Sequence, residues 1–209
     1  MSLLVKICGM TLPEQARAID EMGVDFLGFI FAAKSPRQVT PEQVAAIPHG
    51  RAKRVGVFVE QDADEVLRIM DATGLDLAQL HGGQDEAFCR AVGTERVIKV
   101  FWPQRHESLV SLQEEMERFA DLCALMLLDS GTSGGGHGVS LDFAALAGLA
   151  APRPWLLAGG LTPENAARAA REAISPGLAG LDLNSGVESA PGVKNMIIVE
   201  KAIRILKSI

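Results

Sequence analysis

The 209-residue sequence has few of the features that mark cross-linked, metal-binding, secreted or membrane-spanning proteins. Its three cysteines, Cys8, Cys89 and Cys123, form no CxxC or CxxH pair, which favours free thiols in a reducing cytoplasm over a disulfide framework or a zinc site. Apolar runs such as residues 122–128 are far shorter than the roughly 20 residues of a membrane-spanning helix. The first ten residues contain no basic leader followed by a long apolar stretch, so no signal peptide is expected.

Basic clusters are also missing. Lysine and arginine total 20 against 26 acidic residues, giving a net charge of −6, so binding to nucleic acid or to anionic membranes is not expected. This balance leaves open a small anionic substrate in one pocket. A hydrophobic share of 48% with 22% charged residues excludes a disordered chain and predicts one sizeable core. The length fits a single domain over residues 1–209.

Short apolar runs alternate with longer segments of helical periodicity. The apolar runs predict strands at residues 3–7, 26–31, 54–58, 77–80, 96–101, 124–128, 155–158 and 180–183. The segments between them predict helices at residues 11–22, 62–73, 84–92, 107–119, 141–149 and 196–206, with two more starting at the Thr-Pro-Glu sequences of residues 40–42 and 162–164.

The spacing of the strands indicates the fold class. Strand starts lie roughly 19–31 residues apart, which is the length of one βα unit. Eight such units without a linker predict an α/β protein, a single-domain (β/α)₈ TIM barrel, and a doubly wound open sheet is the structural rival. In a barrel the active site lies where the strands end, so reactive side chains at those positions are the candidates.

Cys8 follows the first strand in the sequence Lys6-Ile7-Cys8-Gly9. The two-residue period of a strand places Lys6 and Cys8 on one face, and a lysine is not expected under the helices, so both should face the barrel interior. A nearby ammonium would lower the thiol pKa from its reference of about 8.5. The simpler interpretation is that Cys8 is a small buried apolar residue.

Asp129 comes directly after four apolar residues of the sixth strand. It is either a loop cap or a site carboxyl group, and its place at a strand end favours the site. A carboxylic acid partly removed from water there would be able to donate a proton near neutrality. Cys8 and Asp129 therefore form a candidate base and acid across a small substrate.

Two glycine-rich stretches follow the seventh and eighth strands. Gly159 and Gly160 belong to the first, and Ser185 and Gly186 belong to the second. These loops of a barrel often bind phosphate through backbone N–H groups, and glycine lets the backbone approach an anion. Each loop alone is weak evidence, but their positions together predict a phosphate site. Residues 131–138 after the sixth strand predict a mobile cover loop.

Two further polar residues lie in loops at strand ends. Arg37, after the second strand, is either a solvated arginine or a clamp for a carboxylate, which suits the planar guanidinium. His81 ends the fourth strand on the same face as Gln79, where a hydrogen-bonding role is more usual than ligation. No second histidine ends a neighbouring strand, so no metal is expected.

Seven segments together resemble the phosphoribosylanthranilate isomerase family of tryptophan biosynthesis, in chain order over nearly the whole sequence. They are KICGM at 6–10, GFIF at 28–31 with SPR at 35–37, VGVF at 55–58, QLHG at 79–82, LLD at 127–129, LAGGL at 157–161 and NSGVESAPGVK at 184–194. KICG together with SGVESAPGVK is highly specific to that family.

The resemblance implies an Amadori rearrangement of N-(5-phosphoribosyl)anthranilate without any metal or organic cofactor. By this likeness Asp129 is the general acid that opens the ribose ring, and Cys8 is the general base that removes the C2′ proton. Arg37 would hold the anthranilate carboxylate, and His81 would line the site. The phosphate would lie against Gly159, Gly160, Ser185 and Gly186. The partner is thus a small phosphorylated molecule, and the protein is expected to be a monomer or a homodimer.

Strand eight neighbours strand one in a closed barrel, so Asp182 is expected near Lys6. Such a pair would neutralise part of the field at the thiol, and we expect Cys8 to keep a pKa near or above neutrality until substrate binds. The sequence departs from the family at residues 134–138, at Asp142-Phe143 in place of Asp-Trp, and at Asn195 in place of aspartate. None of these departures removes a proposed catalytic group.

Two other functions remain open from the residues alone. Another sugar-phosphate isomerase or epimerase barrel is the nearer one, although a metal-dependent epimerase would need clustered histidines, and a cofactor-free isomerase of the histidine pathway would be expected to carry aspartate in place of Cys8. A non-catalytic barrel that binds phosphorylated ligands is the other. It would need neither Cys8 nor Asp129, so substitution of either residue separates it from an enzyme.

Overall fold

In the computed structural model, which describes residues 3–130, 143–173 and 175–209, eight parallel strands close into a barrel in chain order. The strands are β1 Leu4–Ile7, β2 Phe26–Ile30, β3 Lys53–Phe58, β4 Leu77–Leu80, β5 Val97–Phe101, β6 Leu125–Asp129, β7 Trp155–Ala158 and β8 Leu178–Leu183. The helices are α1 Pro13–Glu21, α2 Pro41–Ala45, α3 Ala63–Thr73, α4 Glu86–Val92, α5 Leu109–Arg118, α6 Pro163–Glu172 and α7 Met196–Lys207. The closed barrel confirms the predicted fold and excludes the open sheet.

Local sequence explains where the helices begin. The Thr40 side chain accepts from the N–H of Gln43, and the Gln43 side chain returns to the Thr40 N–H, which forms a capping box before α2. The Asn195 side chain accepts from the N–H of Ile198 and caps α7. Because asparagine and aspartate cap helices about equally well, the departure at Asn195 preserves the start of this helix. None of the helices within the described ranges is long and apolar enough to cross a membrane.

Strand register decides which side chains face the barrel interior. The barrel closes between β1 and β8, where Lys6 lies opposite Asp182. Because side chains alternate along a strand, one set fills the barrel and the other packs under the helices. The inner apolar cluster consists of Phe26, Val55, Leu77, Ile98, Val100, Leu125, Leu127, Leu156 and Ala158. Polar side chains share the strand ends with this cluster, since Ala158 lies opposite both Asp129 and Asp182.

The segment after β6 differs from the prediction. A helix was expected at residues 141–149, but Phe143–Leu146 forms only a 3₁₀ turn, and residues 141 and 142 lie outside the described ranges. Gly148 adopts a φ of 85°, which ends the turn before an α-helix can form. The predicted cover loop at residues 131–138 also lies outside the described residues.

A small element after β8 was not predicted. Ser185–Val187 forms a 3₁₀ turn, and the chain then makes an antiparallel hairpin of β9, Glu188–Ala190, and β10, Val193–Lys194. This hairpin contains most of the SGVESAPGVK motif and leads directly into α7. It places the motif beside the end of β1.

Candidate active site

Cys8 lies immediately after β1 at the mouth of the barrel. Its N–H donates to the carbonyl of Leu183 on β8 at 2.8 Å, and the residue is only 4% exposed. Gly28 on β2 lies against it: a Cβ on Gly28 would stand 2.6 Å from Sγ of Cys8. Any larger residue at position 28 would displace the thiol, so the glycine of the GFIF segment makes room for Cys8.

Lys6 faces the barrel interior, as predicted, and forms a buried ion pair. Its Nζ donates to Oδ2 of Asp182 at 2.8 Å, and the lysine is fully buried. Burial alone would lower the pKa of Lys6, but Asp182 and Cys8 together hold that pKa above its ordinary value. The lysine is therefore an ammonium beneath the thiol, and the expected pairing with Asp182 is confirmed.

The pKa of the Cys8 thiol is raised above its ordinary value. Burial is the main cause, and the charge of Asp182 adds to it, while Lys6 and Lys194 oppose it. The expectation that a nearby ammonium lowers this pKa holds for the contribution of Lys6, but burial and the charge of Asp182 outweigh that contribution, so the net shift in the ligand-free protein is upward. The expectation of a thiol pKa near or above neutrality agrees with this direction.

This raised pKa predicts how Cys8 reacts with an alkylating agent. The rate of alkylation by iodoacetamide should rise about tenfold per pH unit between about pH 6 and 8.5 without levelling off, since the thiolate is the nucleophile. Peptide mass mapping separates Cys8 from Cys123, whose pKa burial raises to about 12. A plateau well below neutrality for Cys8 would contradict the inferred environment.

Asp129 ends β6 and lies at the same mouth as Cys8. Its Oδ2 is 3.2 Å from Nε2 of His81, and its side chain is 20% exposed. The amide nitrogen of Gln79 lies 3.1 Å from Nδ1 of His81. With the Gln79 amide nitrogen as donor in this contact, Nδ1 is the acceptor, and the tautomer that fits carries its proton on Nε2, on the side of Asp129. Gln79 thereby orients a donor towards the carboxyl group.

Asp182 is on β8, between the strand that ends just before Cys8 and the strand that ends with Asp129. It lies opposite both Lys6 of β1 and Ala158 of β7, and Ala158 lies opposite Asp129 of β6. It interacts electrostatically with Asp129 and His81 as well as with Lys6. The structure therefore places the predicted base and acid around one interior, at strands that are separated by two others.

Arg37 is not a solvated arginine, because it forms a bidentate ion pair with Glu188 of the hairpin. Its Nη2 lies 2.7 Å from Oε2, and its Nε lies 2.9 Å from Oε1. Sequence reasoning missed Glu188 and its second partner, Lys194, whose Nζ is 2.9 Å from Oε1. The only available signal was their shared position in the SGVESAPGVK motif.

The loops after β7 and β8 meet, as the phosphate-site prediction requires. Gly186 packs directly against the carbonyl of Leu161. Gly159 and Gly160 both adopt positive φ, 97° and 60°, which turns the chain sharply between β7 and α6. Within the described ranges, the N–H groups of Gly160, Ser185 and Gly186 donate to no other residue. Unpaired amides at the start of a helical turn suit an anion.

One lysine contradicts the expectation that lysines avoid the layer under the helices. Lys99 on β5 points outward and is 4% exposed, with Nζ donating to the carbonyl of Gln84 at 2.8 Å and lying 4.9 Å from the ring centroid of Phe119. A hydrogen bond and a cation–π contact replace part of the lost hydration. Among the described residues, no three His, Cys, Asp or Glu side chains come together as metal ligands.

Cys8 and Asp129 lie at the ends of strands in a closed (β/α)₈ barrel, the end at which enzymes of this fold carry their active sites, so the fold and the site are typical of a barrel enzyme. The sequence matches the profile of N-(5′-phosphoribosyl)anthranilate (PRA) isomerases over residues 5–204. The chain belongs to this family and is an isomerase.

Individual relatives agree with the family match. The N-(5′-phosphoribosyl)anthranilate isomerase of Maridesulfovibrio salexigens is 52% identical over 93% of both chains. The crystal structure of phosphoribosyl anthranilate isomerase from Thermus thermophilus has a TM-score of 0.81 and 36% identity over 99% of each chain. A phosphoribosyl anthranilate isomerase in complex with reduced 1-(o-carboxyphenylamino)-1-deoxyribulose 5-phosphate has a TM-score of 0.81 and 28% identity, covering 99% of this chain and 100% of that one.

Proposed function

We propose that this enzyme converts N-(5′-phosphoribosyl)anthranilate into 1-(2-carboxyphenylamino)-1-deoxyribulose 5-phosphate in tryptophan biosynthesis. The observation that carries the proposal is a family match over residues 5–204 in a chain that holds Cys8 and Asp129 at one barrel mouth. The substrate carries a phosphate and an aryl carboxylate, which suit the unpaired amides and Arg37 respectively.

Asp129 acts as the general acid in the first step. It donates a proton to the ribose ring oxygen while the nitrogen lone pair forms a C1′=N bond and the C1′–O bond breaks. The proton transfer leaves a carboxylate on Asp129. Nε2 of His81, 3.2 Å from Oδ2 of Asp129, donates to the carboxylate and stabilises its negative charge as it forms, which gives His81 the role of a positioning donor.

Cys8 acts as the general base in the second step. Its thiolate removes the proton from C2′, and the electron pair of that bond forms C1′=C2′ while the C1′=N electrons return to nitrogen. The resulting enolamine tautomerises to the ketone. Lys6 supplies positive charge beneath the thiolate, although burial makes the thiolate scarce before substrate binds.

We assign the two anionic groups of the substrate to different ends of the site. We assign the phosphate to the amides of Gly159, Gly160, Ser185 and Gly186, where helical-turn N–H groups and glycine backbone allow close approach. We assign the anthranilate carboxylate to Arg37, whose guanidinium recognises a planar anion. Neither nucleic acid nor a membrane is part of the proposal.

The three cysteines support a cytoplasmic location. Cys8, Cys89 and Cys123 are all unpaired and buried. Free thiols persist in a reducing compartment, whereas an oxidising one favours disulfides. We therefore place the enzyme in the cytoplasm, as a catalyst acting on a small phosphorylated molecule.

The test follows the fluorescence of the anthranilate group as N-(5′-phosphoribosyl)anthranilate, generated in situ, is consumed in the presence of a chelator. The wild-type enzyme is expected to consume the substrate and to form the carboxyphenylamino ketose, identified by mass spectrometry. A folded enzyme that consumes none would overturn the proposal and favour a different sugar phosphate.

A further inference from the structure

Arg37 uses one edge of its guanidinium to bind Glu188. Its Nε lies 2.9 and 3.1 Å from the two carboxylate oxygens of Glu188, and its Nη2 lies 2.7 Å from Oε2. The Nε–Nη2 edge is therefore fully occupied. Nη1 makes no hydrogen bond to any described residue. A planar carboxylate that binds Arg37 while this pair persists must approach from the Nη1 side.

Glu188 is itself held in place from two sides. Its side chain is 4% exposed, and its Oε1 accepts from Nζ of Lys194 at 2.9 Å and from the N–H of Gly192 at 3.1 Å. Burial would raise the pKa of Glu188, but Arg37 and Lys194 hold that pKa below its ordinary value. The carboxylate is thus ionised between two cations.

Lys194 makes a release of Glu188 unfavourable. Its side chain is fully buried, and apart from Glu188 its Nζ donates to the neutral carbonyl and side-chain oxygens of Asn184, at 3.3 and 3.0 Å. If Glu188 swung away to admit a substrate carboxylate, Lys194 would be left as a buried charge without an anion. The hairpin is also tied to the segment before α1, since the Thr11 hydroxyl donates to the carbonyl of Gly192 at 2.5 Å.

We propose that Glu188, anchored by Lys194, is a positioning residue that fixes Arg37 so that its Nη1 side meets the aryl carboxylate of the substrate, and so selects for an ortho-carboxylated arylamine. This inference rests on the proposed function. The opposite role is that Glu188 occupies the place of the substrate carboxylate and competes with it. When the charge of Glu188 is removed, the positioning role predicts weaker binding of a carboxylated ligand, whereas the competing role predicts tighter binding.

The experiment compares two stable ligands on three proteins by calorimetry. The ligands are reduced 1-(o-carboxyphenylamino)-1-deoxyribulose 5-phosphate and its counterpart without the carboxyl group. The proteins are the wild type, Glu188→Gln and Glu21→Gln, whose carboxylate forms an exposed pair with Arg17 on α1. Glu188→Gln is expected to bind the carboxylated ligand about tenfold more weakly, since charge-assisted hydrogen bonds are strong, and the other ligand unchanged. Glu21→Gln should match the wild type.

Any other result of this binding experiment contradicts the positioning role of Glu188. Tighter binding of the carboxylated ligand by Glu188→Gln would show that Glu188 competes. An equal loss for both ligands would show a purely structural role. In steady-state assays the positioning role raises KM about tenfold with kcat changed less than about threefold, and a drop in kcat alone would contradict it.

A second variant tests the inference even if Glu188→Gln does not fold. Glu188→Asp keeps the anion that Lys194 needs but withdraws it from Arg37, so it should fold and still lose part of the preference for the carboxylated ligand. Full preference in a folded Glu188→Asp would contradict the inference. If the wild-type enzyme binds neither ligand, the proposed function fails and the inference falls with it, whereas binding without selectivity overturns the inference alone.

Discussion

Replacing Asp129 by asparagine is expected to lower kcat about 10²- to 10⁴-fold, the usual contribution of a general acid. Asparagine has nearly the same shape and still accepts from Nε2 of His81, so the site keeps its geometry. It has no acidic proton, and the ribose ring therefore opens only at the rate that solvent allows. KM should change little, because the residues proposed to bind the phosphate and the carboxylate lie elsewhere.

The measurement is steady-state consumption of substrate, with binding of the reduced product analogue as a second readout. Asp121→Asn is the matched control, because Asp121 is a surface carboxylate paired with Arg153 at 3.4 Å. That variant should keep wild-type rates. If Asp129→Asn retains more than about a tenth of wild-type kcat, the acid is a different group, and His81 is the next to test.

The barrel and its strand ends were predictable because local signals agree with the overall fold. Apolar runs of strand length alternate with helical segments, and Thr-Pro-Glu sequences mark two helix starts. The two-residue period was enough to place Lys6 and Cys8 inside. Closing the barrel then put Asp182 next to Lys6, a contact between residues 176 positions apart. This pairing followed from topology, because β1 and β8 must be neighbours.

Other contacts could not be predicted, since they depend on how loops fold over the barrel mouth. Arg37 and Glu188 are 151 positions apart and lie outside the barrel strands, so no periodicity relates them. Lys99 has an outward position that a strand period alone would assign to an apolar residue. It is tolerated because the carbonyl of Gln84 and the ring of Phe119 lie within reach.

The direction of the pKa shift at Cys8 also could not be predicted from the neighbouring residues in the sequence. Sequence placed a lysine near the thiol, which by itself suggests a reactive thiolate. The degree of burial was not readable from the sequence, and burial is the dominant cause of the raised pKa. A scarce thiolate in the free enzyme also protects the base from adventitious electrophiles, because the thiol form is a poor nucleophile.

Replacing Cys8 by serine is expected to lower kcat about 10²- to 10⁴-fold at every pH, since a hydroxyl does not ionise in the working range and cannot take the C2′ proton. The substitution changes only sulfur to oxygen, so folding and phosphate binding should persist. Cys123→Ser is the matched control: Cys123 is buried, and its Sγ donates to the carbonyl of Phe119, a bond that serine can also form. It should retain wild-type rates.

The two catalytic variants should stop the reaction at different points. Asp129→Asn blocks ring opening, whereas Cys8→Ser permits it and halts before the C2′ proton is removed. The open-chain imine should therefore accumulate only on Cys8→Ser, and cyanoborohydride should trap it there by adding hydride at C1′, giving the arylamino deoxyribitol phosphate seen by mass spectrometry. Trapping above the enzyme-free level on Asp129→Asn, or its absence on Cys8→Ser, would reverse or remove the assigned roles. The order of acid and base is thus decided by which variant yields the reduced imine.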